Sequence, residues 1–340
     1  ASPSEASEAP SEAADGAVGK RPPRSLAHGL IKLARPHQWV KSGFVLLGPM
    51  YGMADIAVSA TQAVVTSLSC AAAFALVSSS SYAVNDILDA PRDRHHPRKK
   101  HRPVASGVVS PAQAWAYSFV LAVAGFALLG LVEGPGKWLA AATVGAYLVN
   151  VTLYSTWIKR IRIADVLGLS LGFVLRVFGG CVAVGIWPSA WLMNVTLFLA
   201  MFLSFGKRLG ERGSMGDDVG QVRIVQRKYT IELLRMAVVV TGVATLLTYA
   251  SYIQDQQDFI AFTGWFGLPG EVEIAGFNLL WLTIIPATYG LLRCIVLLEQ
   301  GVYDAPTELA LHDRPFQIAG GTFVLLTVGL IAAFRLPPIG

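Results

Sequence analysis

Three aspartates, Asp86, Asp89 and Asp93, stand in the stretch Asn85-Asp86-Ile87-Leu88-Asp89-Ala90-Pro91-Arg92-Asp93-Arg94. At 100° per residue a helix brings all three within an arc of about 60°. Pro91 fits the first turn of a helix only if the helix restarts there, so the place of Asp93 on this face depends on the axis running on. Three carboxylates on one face repel each other unless a divalent cation neutralises them. An all-oxygen set suits magnesium, which takes one or two carboxylates and completes its shell with substrate phosphates. Lys99 and Arg102, a few residues on, are natural phosphate partners. The plainer alternative is a solvated loop whose charges only fix topology. It explains basic residues well and the triple-aspartate face poorly, because carboxylates add little to topology and are costly near hydrocarbon. His95, His96 and His101 read as loop histidines rather than metal ligands.

Three further clusters carry charge. Tyr154, Ser155, Lys159, Arg160, Arg162 and Asp165 precede or open an apolar run that also contains Arg176. Asp165 and Arg176 share a helical face but lie about 16 Å apart along it, too far for an ion pair. A cation in mid-span costs roughly 2.5–3.5 kcal/mol, so Arg176 is read as facing a pocket in the bundle, with snorkelling to the headgroups as the alternative. Lys207, Arg208 and Glu211 end another run, where Lys207 and Glu211 sit one turn apart, as a surface pair or as a phosphate clamp. Arg35-Pro36-His37-Gln38-Trp39-Val40-Lys41 leads into the first apolar run, and Trp39 suits an interfacial anchor. Carboxylates for magnesium, many cations for phosphates and an intramembrane cavity point to diphosphate chemistry on a lipid. No Walker phosphate loop and no nucleophile–base pair of a hydrolase is visible in the sequence.

The elements that must position these residues are membrane helices. Of 340 residues 54% are hydrophobic and 14% charged, with mean hydropathy +0.52, against about 25% charged in soluble domains. That excludes a soluble enzyme and a disordered or fibrous chain. The net charge of +5 is too weak and scattered for a nucleic-acid partner. Cys70, Cys181 and Cys294 have no metal spacing. Residues 1–24, rich in Ala, Ser, Glu and Pro, are expected to be a disordered tail, and 25–340 a transmembrane domain. Apolar runs at 39–56, 60–84, 110–131, 138–156, 164–185, 189–206, 232–253, 276–298 and 316–335 predict an all-α polytopic membrane protein with nine spans. Gly48, Pro49 and Gly52 interrupt the first. Counting lysines and arginines in the loops and at the span ends puts 23 on one side and only Lys137 and Arg335 on the other, which predicts a cytoplasmic N-terminus and basic loops facing the cytoplasm.

The Asp-rich stretch ending in Arg102-Pro103 resembles the first aspartate-rich motif of the UbiA superfamily of intramembrane prenyltransferases. The pieces Arg35-Pro-x-Gln38-Trp39-Val40-Lys41, Tyr154-Ser155-x-x-Ile158-Lys159, Arg176 with Gly179-Gly180, Gly206-Lys207-Arg208-x-x-Glu211 and Leu311-x-Asp313-Arg314 resemble the branch that transfers phosphoribose to decaprenyl phosphate. Together they cover about residues 28 to 335. The resemblance implies a nine-helix bundle with cytoplasmic cap loops in the bacterial plasma membrane and magnesium as cofactor. It implies 5-phosphoribosyl 1-diphosphate as donor, a polyprenyl phosphate as acceptor, and a product leading towards cell-wall arabinan. A homo-oligomer is left open. Asp86 and Asp89 would serve catalysis with Lys207 and Arg208, and Asp86, Asp89 and Asp93 would hold the metal. Asn85, Gln38, Lys41, Asp93, Lys99, Arg102, Tyr154, Lys159 and Arg176 would bind substrate. One departure stands out: where aromatic prenyltransferases of the superfamily carry a second aspartate-rich motif, this chain offers Lys159 and the single Asp165. Two rivals are a prenyltransferase acting on an aromatic or glycerol-type acceptor, and a lipid or ion transporter, for which the broken-helix repeats are missing.

Overall fold

The computed structural model describes residues 23, 25–52, 59–95, 99–214, 229–255, 278–300 and 312–335. His96, Leu311 and the expected tail apart from Pro23 lie outside the described residues. Every regular element among the described residues is helical. The helices are α1 (Leu26–Ala34), α2 (Leu47–Tyr51), α3 (Ala60–Asp93), α4 (Pro111–Leu128), α5 (Lys137–Thr156), α6 (Ala164–Ala183), α7 (Ala190–Ser214), α8 (Ile231–Asp255), α9 (Ile284–Glu299) and α10 (Arg314–Arg335). Eight of the described helices are long and apolar enough to cross a membrane. Large apolar side chains such as Phe119, Val149, Val240, Leu247 and Leu325 stand exposed on the outside of the bundle, as a lipid-facing surface requires.

The first apolar run differs from the other eight. It is a 3₁₀ helix, Pro36–Leu46, followed by the short α2. At about 2 Å per residue for the former and 1.5 Å for the latter it still reaches roughly 30 Å, so it has the length of a span without being one continuous α-helix. It is wedged between α3 and α6, and two glycines make room for it. A Cβ on Gly180 would fall on the Val45 carbonyl, and one on Gly48 would fall on the Cys181 thiol. Around this wedge Val45, Phe74, Val77, Val144, Tyr147 and Val182 form the central core. A second core joins α6, α7, α8 and α9 through Val166, Phe202, Leu234 and Leu297.

Helix α3 is the longest element. Its 34 residues extend about 51 Å, some 20 Å beyond the hydrocarbon thickness. The last turns, which carry the aspartates, therefore stand clear of the apolar layer. Ser59 caps its start by accepting from the Gln62 N–H. The helix does not restart at Pro91: it runs through it and ends two residues later at Asp93. Pro91 lacks the N–H that would bond back one turn, and loss of that bond so near the end is tolerated by the terminus. All three aspartates consequently share one helix.

Candidate active site

The carboxylates meet a ring of cations brought by other elements. The chain leaves α1 through Arg35, whose left-handed φ of 51° turns its side chain towards α3. Arg35 Nη2 lies 2.6 Å from Asp86 Oδ1, with its guanidinium 5.0 Å over the Tyr82 ring. From the loop after α3, Arg102 Nη1 sits 2.7 Å from Asp93 and 3.5 Å from Asp86, so one nitrogen bridges two acids. From the 3₁₀ turn Ile158–Arg160, Lys159 Nζ lies 3.3 Å from Asp89 Oδ1 and 3.4 Å from Asn85 Oδ1. Asp86 is only 2% exposed, whereas the Asp89 side chain is 26% exposed. Lys99 lies in the 3₁₀ turn Lys99–His101 on the same loop as Arg102.

Among the described residues no three His, Cys, Asp or Glu side chains come together as a ready-made metal cage. The donors are hard oxygens of Asp86, Asp89, Asp93 and Asn85, already balanced by Arg and Lys. Such a set fits magnesium that arrives with a diphosphate and takes one or two protein carboxylates, not an ion held by protein alone.

Beneath Asn85 a polar cavity of about 130 Å³ opens between α3, α5, α6 and the 3₁₀ segment. Lys41, Asn85, Tyr154 and Arg176 line it, as do Ser78, Tyr82, Tyr147 and Asn150. Arg176 is buried, donating from Nη2 to Ser78 Oγ at 2.9 Å and Tyr147 Oη at 2.7 Å, and from Nη1 to the Gly172 carbonyl at 3.0 Å. Asn150 donates to the Gly168 carbonyl at 2.9 Å. Lys41 feels the positive charges of Lys207, Arg176 and Arg35, so four cations converge on this region. Gln38 is half-buried in the 3₁₀ segment but is not among the residues lining the cavity. Trp39 donates its indole N–H to Ser79 Oγ at 2.9 Å while remaining partly exposed.

The end of α7 divides into two environments. Lys207 is 59% exposed, 3.8 Å from Glu211. Arg208 turns inward: its Nη2 lies 2.6 Å from Asp165 Oδ2, and its Nη1 donates to the Ser204 carbonyl. Tyr229 donates to Asp165 Oδ1 at 2.8 Å and accepts from the Ile163 N–H at 2.6 Å. Burial pushes the Tyr229 phenol up to about 12, so it stays a donor at neutral pH. Ile163 has φ of 69°, a costly conformation for a β-branched residue, and this bond holds it at the start of α6. Asp165, the one acid where a second motif was sought, is thus engaged by an arginine and a tyrosine. Asp313 caps α10 through the Phe316 N–H and pairs with Arg293 of α9, which holds its carboxyl below the usual range.

A second, apolar cavity of about 400 Å³ lies between the 3₁₀ segment, α7, α8, α9 and α10, lined by residues including Phe44, Leu199, Phe202, Tyr249, Leu291 and Phe323. Phe44 of this cavity packs edge to face on Phe173 of the polar one, with ring centroids 4.8 Å apart. The two chambers therefore meet at an aromatic partition.

Several participants carried no assignment from sequence. Tyr147 and Asn150 stand seven and four residues before the assigned Tyr154, a spacing that puts them on its helical face. Arg35 stood inside a recognised stretch without a role. Tyr229, far along the chain, offered no local signal.

The model of the UbiA prenyltransferase family matches residues 44–285. The chain is similar to the decaprenyl-phosphate phosphoribosyltransferase of Mycolicibacterium smegmatis, with 31% identity over 92% of this chain and 94% of the relative. It is 30% identical to the enzyme of that name from Corynebacterium glutamicum, over 94% of this chain and 90% of the relative. Among solved structures, a UbiA homolog from Archaeoglobus fulgidus bound to GPP and Mg2+ superposes with a TM-score of 0.61 at 17% identity, covering 89% of this chain and 99% of that one.

Proposed function

This chain belongs to the UbiA prenyltransferase family, and from that premise we propose that it moves 5-phosphoribose from 5-phosphoribosyl 1-diphosphate to a decaprenyl-type polyprenyl phosphate, releasing pyrophosphate. The observation that carries the choice of donor is the polar cavity lined by Lys41 and Arg176 with no acidic side chain in its wall. A prenyl diphosphate presents phosphate at one end only. A phosphoribosyl donor presents it at both, and the acceptor adds one more.

The roles follow from position. One or two carboxylates of the set Asp86, Asp89 and Asp93, with Asn85, would hold magnesium together with the diphosphate, where the ion would neutralise charge on the departing pyrophosphate. Lys159 and Arg102 pair with these acids and turn to the diphosphate oxygens, exchanging a carboxylate partner for a phosphate one, and Lys99 on the same loop as Arg102 joins them. Lys41 and Lys207 add positive potential around the reacting phosphates, while Arg208, paired with Asp165, ties the end of α7 to the start of α6. Arg176 and Tyr154 line the chamber below, and Gln38 supports the 3₁₀ segment that carries Lys41. The apolar chamber takes the polyprenyl chain, with its phosphate near the Phe44–Phe173 partition. A lipid phosphate oxygen attacks the anomeric carbon, the bond from that carbon to the diphosphate oxygen breaks, and pyrophosphate leaves. The attacking oxygen is already anionic, so no strong general base is needed. Purified protein given labelled donors tests the reading. Phosphoribose should pass to decaprenyl phosphate, and 4-hydroxybenzoate should not be prenylated. Robust prenylation of the aromatic acid without use of the phosphoribosyl donor would overturn it.

The excess of lysine and arginine in the loops on this side supports a site on the cytoplasmic face of the bacterial plasma membrane, with the N-terminus inside. Reporter fusions after residue 108 or residue 220 should report cytoplasm, and a fusion at Gly340 the outside. A cytoplasmic signal at Gly340 would contradict the nine crossings.

A further inference from the structure

Arg176 stands about 18 Å along α6 from its cytoplasmic start and is 4% exposed. Among the described residues its hydrogen-bond partners are all neutral: a serine hydroxyl, a tyrosine hydroxyl and a carbonyl. Its Nε has no partner. Tyr147 and Phe173 place ring faces 4.4 and 5.5 Å from the guanidinium carbon, which offsets only part of the cost of a desolvated cation. Lys41 lines the same cavity and feels the same charge. Two cations that share a low-dielectric chamber and lack a carboxylate are destabilised until an anion joins them.

The chamber specifies that anion. A pair of cations matches the charge of a phosphate monoester, about −1.5 to −2 at neutral pH. Without a carboxylate in the wall there is nothing to anchor a divalent ion, so the anion binds on cations and hydroxyls alone. A volume of about 130 Å³ equals roughly four waters, enough for one phosphate and too little for a lipid tail. Ser78 lies eight residues, about 12 Å along α3, below Asp86. One molecule with a diphosphate at one end and a phosphate at the other can therefore engage both levels.

We propose that Arg176, Lys41, Tyr147 and Ser78 form a metal-independent site for a phosphate monoester, separate from the diphosphate end at Asp86 and Asp89. This rests on the phosphoribosyl-transfer reading, which supplies two candidates for that group: the 5-phosphate of the donor and the phosphate of the lipid.

The test measures affinities of full-length purified protein for ribose 5-phosphate, farnesyl phosphate and magnesium pyrophosphate, with and without EDTA. Arg176→Gln should weaken a phosphate monoester about 10- to 100-fold, the loss expected for a charge-assisted contact, and leave magnesium pyrophosphate within about twofold. EDTA should spare the monoester and abolish tight pyrophosphate binding. A loss confined to ribose 5-phosphate assigns the site to the donor; one confined to farnesyl phosphate assigns it to the acceptor. Unchanged affinity for both, an equal loss for all three probes, or monoester binding abolished by EDTA would each overturn the proposal. Should Arg176→Gln fail to fold, Tyr147→Phe keeps the charge, removes one hydroxyl donor and should weaken the same probe about three- to tenfold; no change would overturn the site. Arg176-dependent monoester binding in a protein that cannot turn over 5-phosphoribosyl 1-diphosphate would retain the site and overturn the phosphoribosyl-transfer reading.

Discussion

Replacing Asp89 by Asn is expected to lower turnover by about a thousandfold while the protein inserts and unfolds almost as the wild type does. Asp89 is the most exposed of the three acids, and its partner Lys159 is a quarter exposed. A pair so open to solvent contributes little to stability, so the substitution removes a charge from the site without loosening the bundle. Removing one preorganised group aimed at developing charge costs about 10²–10³ in rate, and a carboxylate that anchors both metal and diphosphate belongs at the upper end. Asp86→Asn should lose as much activity and also stability, because buried Asp86 opposes both Arg35 and Arg102. Turnover assays alongside an unfolding curve in detergent separate the two effects. Chelation should stop the wild type and magnesium restore it. Full activity in chelator would remove the metal from the proposal, and near-normal turnover of Asp89→Asn would remove that carboxylate.

The parts of the site that were legible in sequence are those encoded at helical spacing. The shared face of Asp86, Asp89 and Asp93 follows from 3.6 residues per turn. The inward Arg176 follows from the cost of a mid-span cation, and its distance from Asp165 from the rise of one helix. What was not legible depends on contacts between distant segments. The 3₁₀ form of residues 36–46 goes with a close approach of α6 at Gly180 to the backbone at Val45, and no local pattern contains that approach. The pairing of Arg208 with Asp165 spans 43 residues, and that of Tyr229 with Asp165 spans 64. Seen from sequence, Lys207 and Arg208 look like one basic pair. A helix sends neighbours 100° apart, and in the bundle one faces water while the other faces Asp165.

That divergence sets the second large effect. Arg208→Ala is expected to destabilise the protein by about 3–5 kcal/mol, because it strands a buried carboxylate. Asp165 would retain Tyr229 and the Val166 N–H as neutral donors but no counter-charge. The strained turn at Ile163, tied to the same tyrosine, would loosen with it, and with it the start of the helix that carries Arg176. Lys207→Ala, by contrast, removes an exposed side chain whose ion pair with Glu211 is long, 3.8 Å. Its stability should change by less than about 1 kcal/mol, while apparent affinity for a phosphate substrate falls roughly tenfold. The double variant Asp165→Asn with Arg208→Gln should recover part of the stability lost in Arg208→Ala, since neither residue then leaves a charge unpaired. Denaturant midpoints of the four proteins, paired with KM values, give the comparison. If Arg208→Ala keeps the wild-type midpoint and only KM rises, Arg208 works as a direct phosphate ligand and its pairing with Asp165 carries no structural weight.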